Sequence, residues 1–119
     1  MDQELEDALF RDFPLTYKIC KSINCGNGWE PAIRKFSSKL EEIIAAMPAE
    51  EQPKYYVRRI KSKRAMLHFH LDYENSEIST LIKEAYKQTE SACEDCGEPG
   101  KERVNSSGWV TIECDTCFQ

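Results

Sequence analysis

Between residues 29 and 47 the apolar positions Trp29, Ile33, Phe36, Leu40, Ile43, Ile44 and Met47 recur at intervals of three and four. That is the period of one helical face, and it predicts the longest helix of the chain and the spine of its core. Asn27 or Glu30 can cap this helix, and Pro31 suits its first turn, where a missing N–H is least felt. A shorter helix is expected over residues 3 to 13, with Leu5, Ala8, Leu9 and Phe13 set among acids and Pro14 ending it. Residues 14 to 28 read as a loop, rich in turn formers and holding Cys20 and Cys25.

From Lys54 to Asp72 the period changes to two. Leu67, Phe69 and Leu71 fall on one face, and His68, His70 and Asp72 on the other. This predicts a β-hairpin whose first strand carries Tyr55, Val57 and Ile60 and whose turn lies near residues 63 to 65, without an Asn-Gly signal to fix it. Asn75 or Ser76 then caps a third helix built on Ile78, Leu81, Ile82, Ala85, Tyr86 and Thr89. Beyond it, Glu98-Pro99-Gly100 forms a turn, and residues 109 to 112 form a strand that delivers Cys114. The expected fold is α+β: a helix–helix–β-hairpin–helix core over residues 1–91, followed by residues 92–119, where the two Cys-x-x-Cys pairs Cys93/Cys96 and Cys114/Cys117 predict a zinc ribbon. Trp109 is expected to cover the metal site or to dock the ribbon on the third helix, more readily than to stand exposed as a stacking platform.

Charge changes the picture of the hairpin. The 119 residues carry a formal charge of −5, yet Lys54, Arg58, Arg59, Lys61, Lys63 and Arg64 place +6 in residues 54 to 64, leaving −11 for the rest. An acidic body with one basic arm does not suggest generic affinity for a phosphate backbone. The first seven residues are acidic where a secretory signal would be basic, and no apolar run approaches a membrane span. A cytoplasmic location and no membrane partner are therefore expected.

The strongest chemical signal is the pair Cys93-x-x-Cys96 and Cys114-x-x-Cys117, separated by seventeen residues. Each pair can turn its two sulfurs onto one ion, with Gly97 free to adopt positive φ. One structural Zn2+ on four thiolates is expected; two disulfides or a redox pair are the alternatives, and they fit less well without an export signal and with a second pair present. Cys20, Cys25, His68 and His70 could form a second site, although the cysteine spacing is looser than a knuckle. No phosphate loop or recognisable catalytic motif accompanies them, so no enzyme activity and no small-molecule substrate are expected.

Three segments, Cys25-Gly26-Asn27-Gly28-Trp29, Ile60 through His70 and Ser91 through Lys101, together resemble a family of small, functionally uncharacterised proteins of tailed bacteriophages and prophages with a C-terminal four-cysteine zinc ribbon. The sequence departs from that family's hairpin at Arg64, Ala65 and His68. The resemblance implies a phage setting, and hence the cytoplasm of a bacterial host, but no catalytic residues. The expectation that follows is a non-enzymatic module acting on a host protein, with Arg58, Arg59, Lys61, Lys63, Arg64, His68 and His70 as partner-binding residues. The alternative is a nucleic-acid-binding accessory that uses the same hairpin.

Overall fold

Three helices and two small sheets make up the mixed α+β structure, a computed structural model that describes residues 1–118. Gln119, the last residue of the expected ribbon, lies outside the described residues. Helix α1 spans Gln3–Asp12, α2 spans Glu30–Ala45 and α3 spans Ser76–Thr89. Strands β1 (Ile23–Asn24), β2 (Arg59–Lys63) and β3 (Met66–His70) form one sheet; β4 (Lys101–Val104) and β5 (Val110–Glu113) form the other. Among the described residues no helix is long and apolar enough to cross a membrane.

The long helix forms where its periodicity places it. A single 3-10 turn over Asn27–Trp29 leads into it, and Pro31 sits in its first turn. Neither expected cap is made: the Asn27 side chain instead accepts the Asp2 N–H at 2.8 Å. At α3 the expected cap is present, Asn75 Oδ1 accepting the Ile78 N–H at 2.9 Å. Trp29 of the 3-10 turn and Ile33, Leu40 and Ile44 of α2 are fully buried in one cluster with Ile78 of α3 and Ile23 and Ile60 of the sheet. Burial of each such side chain contributes about 1.5–3 kcal/mol. Phe36 of α2 stacks on Phe69 of β3 with ring centroids 4.0 Å apart, which fixes the sheet on the helical layer.

Two expectations about strands are corrected. The loop expected over residues 14 to 28 contains β1, which pairs in parallel with β2 through Ile23 opposite Ile60 and Asn24 opposite Lys61. A strand of two residues is too short to show a period, so its pairing was hidden in the sequence. Tyr55 and Val57 precede β2 rather than forming part of it. The Val57 N–H turns to the Thr16 carbonyl at 2.8 Å, away from β3. Thr16 itself is held by Glu41 of α2, whose carboxylate accepts from the Leu15 N–H, the Thr16 N–H and the Thr16 hydroxyl at 2.8 to 3.0 Å.

The hairpin turn is the two-residue connection Arg64-Ala65, with φ of 54° and 63°. Positive φ at both central positions is the type I′ geometry that matches strand twist, usually supplied by Asn-Gly. Here two L-residues with full side chains occupy left-handed backbone, at a cost of roughly 1–2 kcal/mol each.

Candidate metal centre and cationic hairpin face

Residues 93 to 97 turn tightly after α3. The Gly97 N–H donates to the Cys93 carbonyl at 2.8 Å, and Gly97 takes φ +84°, where a side chain would be strained. The antiparallel ladder of β4 and β5 returns the chain so that Cys114 and Cys117 arrive beside Cys93 and Cys96. The four Sγ atoms lie within 4.8 Å of one another, and those of Cys96 and Cys114 are 3.6 Å apart. All are free thiols, and 3.6 Å is far beyond the ~2.05 Å of a disulfide. These four cysteines form a cluster that could hold a metal ion.

The surroundings prepare the sulfurs for a cation. Burial pushes the Cys93 thiol up, yet backbone N–H groups of Cys114, Cys96 and Asp95 outweigh it and bring it down to about 7. Cys117 is pushed well up by the neighbouring sulfurs of Cys114, Cys96 and Cys93. Backbone dipoles thus favour a first thiolate, while further thiolates in the cluster need a positive charge among them.

The cluster is seated on the rest of the protein through contacts that span most of the sequence. Gly28 N–H donates to the Glu94 carbonyl at 2.7 Å, Gly26 N–H to the Glu94 carboxylate at 3.1 Å, and Trp29 Nε1–H to the Ala92 carbonyl at 3.0 Å. The Ser62 hydroxyl of β2 donates to the other Glu94 oxygen at 3.1 Å. Approach is so close at Gly28 that a Cβ there would lie 2.1 Å from the Cys93 carbonyl oxygen. No motif marks Glu94 or these two glycines as functional in the sequence. The Gly-Asn-Gly run before a helix is the sequence signal that leaves room for a backbone to approach there.

Cys20 and Cys25 are not brought to the histidines. Both are buried among core side chains, whereas His68 and His70 lie on the opposite, outward face of β3. Burial raises both cysteine thiols, Cys25 to about 12 with Glu94 adding to the effect. Neither is a thiolate near neutral pH, which removes the basis for a cysteine nucleophile.

The register of β2 and β3 sets Arg59 opposite His70, Lys61 opposite His68 and Lys63 opposite Met66, all on that outward face. Among the described residues none of Arg59, Lys61, Lys63 and Arg64 forms an ion pair. Partial burial, followed by the charges of Lys61, Arg59, His68 and Lys63, holds His70 below its ordinary value. Arg58 stands apart from this set: its guanidinium grips both Asp72 oxygens at 2.6 and 3.2 Å and touches the Tyr56 hydroxyl.

Trp109 neither covers the metal cluster nor docks against α3; it is 71% exposed. The Asn105 side chain accepts the N–H groups of Ser107 and Trp109 at 2.9 and 3.0 Å and fixes the turn ahead of β5, with Gly108 at φ +86°. That turn carries the indole outward. Comparison with family models, curated proteins and solved structures returns no match to this chain.

Proposed function

We propose that Cys93, Cys96, Cys114 and Cys117 bind one structural Zn2+, and that the chain is a non-enzymatic binding module for an anionic host macromolecule in a phage or prophage setting. The tetrahedron of four sulfurs ~2.3 Å from zinc has edges of about 3.8 Å, close to the 3.6 Å between Cys96 and Cys114. Soft thiolates favour zinc over harder ions, and a set of four closes the coordination sphere. The ion would thus fold residues 92 to 118, a zinc ribbon in this reading, rather than activate water. Metal analysis of protein prepared without chelator should find one zinc per chain, and the four-cysteine reading falls if none is present.

The observation that carries the binding reading is the outward row Arg59, Lys61, Lys63, His68 and His70, cations and histidines that form no ion pair with an acid among the described residues. Uncompensated like charge on a sheet face costs stability, and an anion that docks there relieves the repulsion. Arg58, expected among the partner-binding residues, serves instead to tie the start of β2 to Asp72. An acidic surface of a host protein and a nucleic acid both present the required charge, and the exposure of Trp109 favours the second. The test is retention on immobilised heparin, then on immobilised polyglutamate, near 150 mM salt. Wild-type protein should be retained despite its net charge of −5, and the Arg59→Glu/Lys61→Glu variant should flow through. Passage of the wild type through both columns at low salt overturns the reading.

A further inference from the structure

Between the hairpin turn and the second sheet lies an open groove of about 780 Å³, within the range of cavities that accept small ligands. Lys63 and Arg64 line one side; Trp109 and Thr111, on one face of the β5 segment, line the other. We propose that this groove binds single-stranded nucleic acid, with an unpaired base stacked on Trp109 and the adjoining phosphates against Lys63 and Arg64. The inference rests on the reading of the hairpin as an anion-binding element and names the anion.

Three features point to this occupant. The Trp109 indole is held outward by a turn that Asn105 fixes from within, so a planar face is offered without the entropy of ordering a loose loop. Stacking of this kind suits any base and needs it unpaired, which a duplex interior does not allow. Across the groove, Lys63 and Arg64 form no ion pair among the described residues. The acid in the groove wall, Glu94, has both carboxylate oxygens already engaged, by Gly26 N–H and the Ser62 hydroxyl. An acidic peptide would satisfy the cations but leave the indole face unused; a nucleotide strand uses both.

The left-handed turn supports the same assignment. Arg64 occupies backbone that glycine would adopt without penalty, yet the position keeps a long cationic side chain on the groove rim. Strain retained beside a candidate site is a pointer to function when the site is independently visible.

The experiment follows tryptophan emission and the anisotropy of a labelled oligothymidylate of about 12 nucleotides, a length within the footprint of small single-strand binders. It uses the full zinc-loaded chain near 150 mM salt. Oligothymidylate should quench the Trp109 emission, since Trp29 is buried and beyond its reach. Trp109→Ala should weaken binding by about tenfold or more, Trp109→Phe should retain most of it with the quench gone, and the matching duplex should bind more weakly than the single strand. The Lys63→Glu/Arg64→Glu variant should abolish binding. Circular dichroism and zinc content of each variant would establish that the fold is kept. Oligonucleotide binding that is lost in Arg59→Glu/Lys61→Glu but indifferent to Trp109→Ala would overturn the groove while leaving the anion-binding face in place. Binding of polyglutamate with none of oligothymidylate would overturn it in favour of a protein partner. Failure to bind either polymer would remove both readings together.

Discussion

The two antiparallel hairpins of this protein are built alike and held in unlike ways. The hairpin β2–β3 turns one face to the helices, where Ile60 and Leu67 are buried and Phe69 stacks on Phe36, so the ordinary hydrophobic effect supports it. The hairpin β4–β5 buries Ile112 but leaves Val104 61% exposed. An isolated two-stranded hairpin is marginal in water; this one has the cysteine cluster at its base and the seat provided by Gly26, Gly28 and Trp29. Where apolar area is scarce, a cluster of four cysteines and backbone hydrogen bonds stand in its place. The strand faces are correspondingly freed for other uses, here an outward indole.

On the proposal that the four cysteines hold zinc, the largest test of that contrast is removal of the ion. Cys96→Ser should abolish zinc binding and with it metal-linked stability on the order of 10 kcal/mol, the scale of small zinc sites. Hydrogen exchange should show loss of protection across residues 101 to 113, with residues 59 to 70 keeping most of theirs. Persistent protection in β4–β5 without metal would break the comparison.

A second cut separates the seat from the ion. Gly28→Ala drives a methyl group into the Cys93 carbonyl and should destabilise the protein by about 3 kcal/mol, a size reserved for severe steric or hydrogen-bonding loss. Urea unfolding measures it. An effect below ~0.5 kcal/mol would mean that the two regions are joined by little more than the chain. In the opposite direction, Arg64→Gly should stabilise the first sheet by about 0.5–1 kcal/mol, relief of left-handed strain being partly offset by the greater freedom of glycine when unfolded. The same change should weaken oligonucleotide binding, and a variant both more stable and equally competent would detach the turn from the groove.

The smallest expected effect is proton-linked. The folded-state pKa of His70 lies below its ordinary 6.5, so the unfolded chain takes up a proton first, and stability present above about 6.5 declines as pH falls toward the folded value. A bound polyanion offsets the charges of Lys61, Arg59, His68 and Lys63 that add to burial in causing the depression, so protonation then favours binding. Affinity for oligothymidylate should rise several-fold between about pH 7.5 and 6, and His68→Asn/His70→Asn should flatten that slope. A slope unchanged in the double variant would assign the proton linkage elsewhere.

The parts of this structure that could be read from sequence are those set by local periodicity or by fixed spacing. Trp29 to Ile44 repeat at three and four, and α2 follows; Asn75 precedes Ile78 by three, and its cap follows. The two Cys-x-x-Cys pairs converge because each turn is local and one short hairpin joins them. What escaped depends on partners remote in the chain. The pairing of Ile23 with Ile60, the diversion of the Val57 N–H to Thr16 and the Glu94 clamp are choices among many acceptors that only the assembled core decides. Trp109 departs from expectation for a related reason: scarcity of large side chains suggests burial, but Asn105 fixes the turn that leaves the indole exposed.

Glu94 and Gly26 are 68 positions apart, and this separation bears on how the protein comes into being during synthesis. The amide of Gly28 and the indole N–H of Trp29 emerge from the ribosome long before Glu94 and Ala92, which accept from them. Until those last residues are made, the nascent core carries an unfinished edge with donors left to water. Closing so long a loop is entropically unfavourable, whereas the turn from Cys93 to Gly97 forms locally. The first two thiols can therefore meet a metal ion as soon as they are exposed, and a knuckle already shaped by that ion would be the piece that completes the older half of the chain.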